Sequence, residues 1–239
     1  MKVCVLGATG RSGRRIVSAA LAGGHDVTAL VRDSSKAHDI THERVHVRAL
    51  SFADEGALVD AMRSHDAIIN AAGYVSDGAG YAPLVQRIIR CAEAALGAGG
   101  RFWLFGGAAL LEVPGTSTMT LDLPGVPKIF EAHRANFNAV RATTLDWSMM
   151  CPGPMTDAPS DAAARELVVS CDVWPVPAPP FARLLPHPAL SLAFKSAIPR
   201  MTIHYEEAAE LITANLAAGG PYSRKRVGAA LAKNSAPAT

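Results

Sequence analysis

The run Gly7-Ala8-Thr9-Gly10-Arg11-Ser12-Gly13 restricts this chain more than any other stretch. It follows the apolar segment Val3-Cys4-Val5-Leu6 directly and opens a helical stripe, Ile16, Val17, Ala20 and Leu21, that stops at Gly23-Gly24. Gly7 lets the chain turn sharply off a strand. Gly10 removes a side chain where backbone must approach an anion, and Gly13 permits close packing of the helix. Amides at the helix start, helped by the helix dipole, then meet negative charge. Thr9, Arg11 and Ser12 add donors. A second apolar segment, 27–31, ends about twenty residues on. A glycine triplet in this setting predicts a dinucleotide seat; an anion-free tight turn is the alternative.

The rest of the chain continues the alternation. Apolar runs at 45–47, 67–69, 102–105 and 145–150 are near-continuous, which suits strands buried on both faces. Between them lie stripes of helical period: Leu58 and Met62; Leu84, Val85, Ile88, Ile89, Ala92 and Leu96; Ile129, Ala132, Asn136 and Val140. A last one comprises Tyr205, Ala209, Ile212 and Leu216. This pattern predicts an α/β fold, a Rossmann-type doubly wound parallel sheet formed by residues 1–239 as one domain. Nine of the 16 prolines fall between Pro152 and Pro188. Proline cannot donate to a ladder or continue a helix, so residues 152–200 are expected to form an irregular lobe beside the sheet. A short strand over 165–173 and a frayed tail from Lys233 onward are further expectations.

Composition narrows the partners. The formal charge of +2, from 23 basic and 21 acidic residues, carries no nucleic-acid footprint. No apolar run reaches the roughly 18 residues of a membrane span. The N-terminal apolar run is too short for a secretory leader, and Arg11, Arg14 and Arg15 follow it. Cys4, Cys91, Cys151 and Cys171 form no Cys-x-x-Cys pair, which argues against a disulfide framework and for a reducing compartment. The expectation is a soluble, cytoplasmic protein with a small-molecule substrate and no membrane or nucleic-acid partner; its oligomeric state is left open.

The second strand end reads Val31-Arg32-Asp33. An acidic residue there binds the ribose hydroxyls of NAD, whereas arginine pairs with the 2′-phosphate of NADP. Arg32 occupies the strand end and Asp33 lies one step into the turn, so NADP is favoured, with NAD still possible.

The glycine turn, with Leu30-Val31-Arg32-Asp33, resembles the atypical short-chain dehydrogenase/reductases. It is most similar to the NAD(P)H-binding, NmrA-like proteins that include biliverdin-IXβ/flavin reductases. The resemblance runs over residues 1–155 and resumes weakly at 203–209 and Arg226-Val227-Gly228. It implies that Asn70-Ala71-Ala72-Gly73 lines the nicotinamide ribose, that Ser51 and Phe52 contact adenine, and that Pro152 belongs to the turn after the sixth strand. The family's Tyr-x-x-x-Lys pair aligns with Ile129 and His133, and its helper serine falls in Phe105-Gly106-Gly107-Ala108. All three groups are therefore missing at their expected places. His133 can donate to a ribose hydroxyl or a substrate oxygen; otherwise it is a partly buried histidine bonded to backbone. Tyr74 can cover the nicotinamide or donate a proton; otherwise it packs under the lobe. Ser76, Tyr81 and Cys151 are weaker options.

Other constellations are thin. His38, His42 and His46 are spaced by four, but the last lies in an expected strand, so no metal site is expected. Arg224-Lys225-Arg226 reads as a solvated turn. Trp174, Phe181 and Phe194 either wall a substrate pocket or form the lobe's own core. Two readings result: an NADPH-dependent oxidoreductase transferring hydride to a flavin, quinone or carbonyl substrate, or a non-catalytic NADP(H)-sensing regulator.

Overall fold

The computed structural model describes residues 1–159 and 165–232. Strands and helices alternate through β1 (Lys2–Leu6), α1 (Arg11–Ala22), β2 (Asp26–Val31), β3 (Val45–Ala49), α2 (Glu55–Met62), β4 (Ala67–Asn70), α3 (Tyr81–Leu96), β5 (Arg101–Phe105), α4 (Glu131–Arg141) and β6 (Asp146–Met150). The chain continues through β7 (Met155–Thr156), β8 (Leu167–Cys171), α5 (His187–Ala197), β9 (Ile203–His204), α6 (Tyr205–Thr213) and β10 (Lys225–Leu231). Each apolar run of the sequence became a strand.

Eight strands form one sheet in the order β3-β2-β1-β4-β5-β6-β10-β8. All pairings are parallel except β10 with β8. Strand order reverses at β1, which has β2 on one side and β4 on the other. Connections leave in opposite directions there and open a crevice at the C-terminal strand ends, where such sheets bind ligands. β4 and β6 are buried along their whole length, and β1 is buried from Val3 to Leu6. Helices on both faces account for that. One face carries the cluster that includes Leu58, Met62, Val85, Ile88 and Val140; the other includes Ile16, Val17, Ala20, Ala208, Ala209 and Ile212.

The proline-rich stretch differs from the expected irregular lobe. The short strand expected over 165–173 is present as β8, but it joins the main sheet as its antiparallel edge strand, with Val227 opposite Cys171 and Leu231 opposite Leu167. α5 also forms there, with a proline in its first turn, the helical position that loses no intrahelical hydrogen bond. The prolines therefore delimit regular elements as well as interrupting them. Trp174 and Phe194 form a small core, ring centres 5.4 Å apart, and the Trp174 Nε1–H donates to Thr120 Oγ1 at 2.6 Å. Phe181 takes no part and is exposed, with a left-handed φ of 57°. The expected tail from Lys233 onward lies outside the described residues.

The basic run 224–226 is not a solvated turn. Arg224 donates to the carbonyls of Arg141, Thr143 and Leu145, and Lys225 pairs with Asp172. Arg226 is buried. It pairs with Glu112 (2.7 Å) and Asp172 (3.2 Å), and its guanidinium lies 4.9 Å from the centre of the Phe137 ring.

Candidate dinucleotide-binding site

The glycine turn leaves β1 at Leu6 and is stitched to β2 by Gly7 N–H donating to the Leu30 carbonyl at 3.1 Å. Gly7 has φ +72°, and a Cβ there would stand 2.7 Å from the backbone of Ala71 and Ala72. Only glycine fits this corner, because both the conformation and the neighbouring loop forbid a side chain. At Gly13 a Cβ would come within 2.1 Å of the Gly7 carbonyl oxygen. Gly10 differs: a Cβ there would meet only the Gly7 carbonyl oxygen, at 3.3 Å. Gly13 therefore closes the turn on itself, Gly7 seats it against the loop after β4, and Gly10 leaves its outer face open.

Gly10 caps α1 without any side-chain hydrogen bond. The first i-to-i−4 bond of the helix runs from Arg14 N–H to the Gly10 carbonyl, so the amides of Arg11, Ser12 and Gly13 precede the ladder. An uncapped helix start beside an open glycine, over the crevice between β1 and β4, suits a diphosphate. Gly7, Gly10, Arg11, Ser12 and Gly13, all singled out from the sequence, lie together here. Thr9 contributes its carbonyl, which accepts from Arg14 Nε at 3.0 Å. Arg14 also bonds Asp39 and the Lys36 carbonyl, tying the turn to the segment after β2.

Beyond β2, Arg32 is exposed. Asp33 turns its carboxylate onto Ser35, accepting from its N–H (3.0 Å) and its hydroxyl (2.7 Å). Those bonds hold the Asp33 carboxyl below the usual carboxylate range. Ser51 is exposed, but the Phe52 ring is buried in the core, so it offers no stacking face to an adenine. Only the backbone at Phe52 remains available for that role.

The floor is built from strand ends. Asn70 is buried, and its Oδ1 accepts from the Ala72 N–H at 3.0 Å, while Ala71 N–H donates to the Leu6 carbonyl. This bends Asn70-Ala71-Ala72-Gly73 against the glycine turn. Gly73 has φ +89°, and a Cβ on it would touch the Tyr81 ring at 3.0 Å. The turns after β5 and β6 are joined by Ala108 N–H donating to the Pro152 carbonyl at 2.8 Å.

His133 is buried at the head of α4. Its Nδ1 lies 3.2 Å from the Tyr81 hydroxyl, and Phe130 stacks on its ring. Its partner is thus a side chain and not backbone. Nε2 faces Gly107, 3.4 Å from where a Cβ would stand. Burial pushes the imidazole pKa down to about 4 and the Tyr81 hydroxyl up to about 12. Three residues along α4, Asn136 is fully buried beside the Tyr81 hydroxyl. Ile129, at the family's tyrosine position, is exposed, and the 105–108 turn offers no hydroxyl.

Tyr74 is 67% exposed and neither packs under the lobe nor reaches the His133 pair. Cys151 is a buried thiol that burial pushes up to about 12, which leaves it inert near neutral pH. Tyr81 and Asn136 are the residues that sequence reasoning underweighted. Their only local signal is a polar group at the head or in the middle of a buried stripe. A recess of about 460 Å³ opens between Thr116, Thr118, Arg183, His187 and Leu190, but no residue of the glycine turn lines it. No group of three metal-ligating side chains is found among the described residues.

Sheet, switch point and glycine turn together define a Rossmann-type dinucleotide-binding protein. The model of the family described as NAD(P)H-binding matches residues 7–169, and the chain belongs to that family. The NAD(P)H-binding relationship read from the glycine turn therefore holds. Among curated proteins none matches. Solved structures share the fold. One is a short-chain dehydrogenase/reductase from Veillonella parvula in complex with NADP: TM-score 0.66, 16% identity, 98% of this chain and 96% of that one covered. A Rossmann-fold NAD(P)-binding family protein from Shigella flexneri has TM-score 0.67 and 15% identity, over 100% and 97%. A Streptococcus pneumoniae protein whose name proposes an NADH-flavin reductase has TM-score 0.67 and 21% identity, over 97% and 100%.

Proposed function

We propose that this protein is an NADPH-dependent oxidoreductase acting on a small molecule held beneath residues 152–200. The observation that carries the reading is the uncapped start of α1 beside the open face of Gly10, over the β1/β4 crevice. The amides of Arg11, Ser12 and Gly13 would hold the diphosphate, and the strand ends 70–73 would lie along the nicotinamide ribose. Exposed Arg32 supports NADP over NAD, because Asp33 spends its carboxylate on Ser35 and so is withdrawn from ribose hydroxyls. A bound reduced nicotinamide would supply hydride to a flavin, quinone or carbonyl acceptor. The chain's own part is to orient the two reactants and exclude water, and His133 is the nearest candidate donor. A reducing, cytoplasmic setting accords with the four free cysteines, three of them buried.

A specific observation favours a second reading, a non-catalytic NADP(H)-sensing regulator of the NmrA-like type. Ile129 replaces the acid and the 105–108 turn lacks the hydroxyl. Calorimetry with NADPH and NADH, followed by nicotinamide absorbance with a panel of flavins, quinones and aldehydes, separates the two. Tight NADPH binding with turnover on at least one acceptor supports the oxidoreductase. Tight binding with no turnover supports the regulator, and no binding of either coenzyme overturns both.

A further inference from the structure

The Tyr81–His133 pair has an unusual setting for a histidine near a cofactor crevice. It joins α3 to α4 across 52 positions of sequence, and both rings are buried. A tyrosine hydroxyl facing an imidazole nitrogen at 3.2 Å donates to it when that nitrogen is unprotonated. The Tyr81 ring meets the imidazole edge-on, with centres 5.5 Å apart, and Phe130 stacks on it with centres 6.0 Å apart. The imidazole therefore has one hydrogen-bonded nitrogen and two aromatic walls. Its other nitrogen, Nε2, faces Gly107 just past the end of β5 and has no partner among the described residues. No charged side chain hydrogen-bonds either member of the pair among the described residues. Beside them lies the wholly buried side chain of Asn136, next to the Tyr81 hydroxyl.

We propose that Tyr81 is a positioning residue that holds His133 as the neutral Nε2–H tautomer, so that this N–H donates to an uncharged oxygen of the substrate, a carbonyl or quinone oxygen. Burial disfavours the imidazolium here, in keeping with a neutral donor. A neutral donor between aromatic faces has no countercharge for a carboxylate or phosphate, and desolvating either anion there would go uncompensated. The inference thus selects flat uncharged acceptors over acidic ones. The substrate half rests on the dinucleotide reading above; the Tyr81–His133 half does not, since it concerns the cofactor-free chain.

The test reads the imidazole directly. Side-chain ¹⁵N spectra of labelled, cofactor-free protein at pH 7 are expected to show His133 with Nδ1 unprotonated and Nε2 protonated. Tyr81→Phe, checked for native circular dichroism, is expected to move His133 toward a tautomer mixture. A protonated ring or an Nδ1–H tautomer in the unmodified chain overturns the proposal, whether or not the variant folds, as does a folded Tyr81→Phe whose spectrum is unchanged. Protein saturated with NADP⁺ is then titrated with tetramethyl-1,4-benzoquinone and with benzoate. The quinone is expected to shift Nε2 and to bind about tenfold more weakly to His133→Ala, with His133→Gln retaining most of the affinity through its amide N–H. Benzoate binding as tightly as the quinone, or a quinone that leaves Nε2 unmoved, overturns the substrate half. Failure of NADP⁺ to saturate the protein strikes at the dinucleotide reading and, with it, the substrate half alone.

Discussion

Gly13 stands so close to Gly7 that a methyl group on it would come within 2.1 Å of the Gly7 carbonyl oxygen. Gly10, between them in sequence, meets that oxygen only at 3.3 Å. The two positions therefore fail differently. Gly13→Ala must push the turn apart and is expected to lower stability by about 3 kcal/mol in urea unfolding. Gly10→Val is expected to keep a native far-UV circular dichroism spectrum while abolishing coenzyme binding in calorimetry. A folded Gly10→Val with unaltered affinity would remove the turn from the binding site.

Arg32 and Asp33 give a second pair of opposed expectations. Arg32→Ala is expected to shrink the preference for NADPH over NADH by about tenfold, the scale of one charge-assisted hydrogen bond. Asp33→Ala is expected to leave that preference alone, because the carboxylate is engaged with Ser35. Its cost should appear only as a small fall in thermal stability through loss of the cap. Dissociation constants for both coenzymes with both variants decide the matter, and an Asp33→Ala that shifts the preference more than Arg32→Ala reverses the assignment.

His133 links stability to pH. Its native pKa, about 4, lies below the 6.5 of an ordinary imidazole because the ring is buried. Below pH 6.5 the unfolded chain takes up a proton that the native chain refuses, so stability falls as pH drops from 6.5 toward 4. The effect is expected to reach about 2 kcal/mol by pH 4.5. Because the burial of His25 also lowers its pKa, the measurement is the difference between the unmodified chain and His133→Gln in urea unfolding at each pH. Parallel curves would show that His133 titrates normally.

Arg226 holds the proline-rich stretch to the sheet through Asp172 and Glu112. Arg226→Met removes the shared cation, taking Glu112's ion pair away and leaving Asp172 with Lys225 alone. Because those carboxylates are about one-third exposed, the loss is expected to be about 2 kcal/mol, below that of a fully buried pair. Urea unfolding within 0.5 kcal/mol of the parent, roughly the scatter of neutral surface changes, would show that the cluster is not an anchor.

Local features were legible in the sequence and long-range ones were not. The glycine turn could be read because its three constraints fall within seven residues, and the structure gives each glycine a distinct contact. Strands β1, β4 and β6 were legible because burial on both faces leaves near-continuous apolar runs. Tyr81 and His133 meet only because α3 and α4 pack side by side, and nothing near either residue announces the other. Phe52 followed the family pattern in sequence, yet its ring turned inward, since an aromatic beside a growing core is more stable buried. Density of proline was read as irregularity beside the sheet; the strand expected over 165–173 formed as β8, but within the main sheet, and α5 formed as well, because proline constrains a backbone without forbidding order. Arg226 read as a surface charge because its acidic partners lie 54 and 114 positions away.

β8 returns to the sheet beside β10, which itself lies against β6. β8 is held to the sheet by β10 alone, at the edge opposite β3. Lengthening or trimming that outermost strand would leave every parallel pairing from β3 across to β6 untouched.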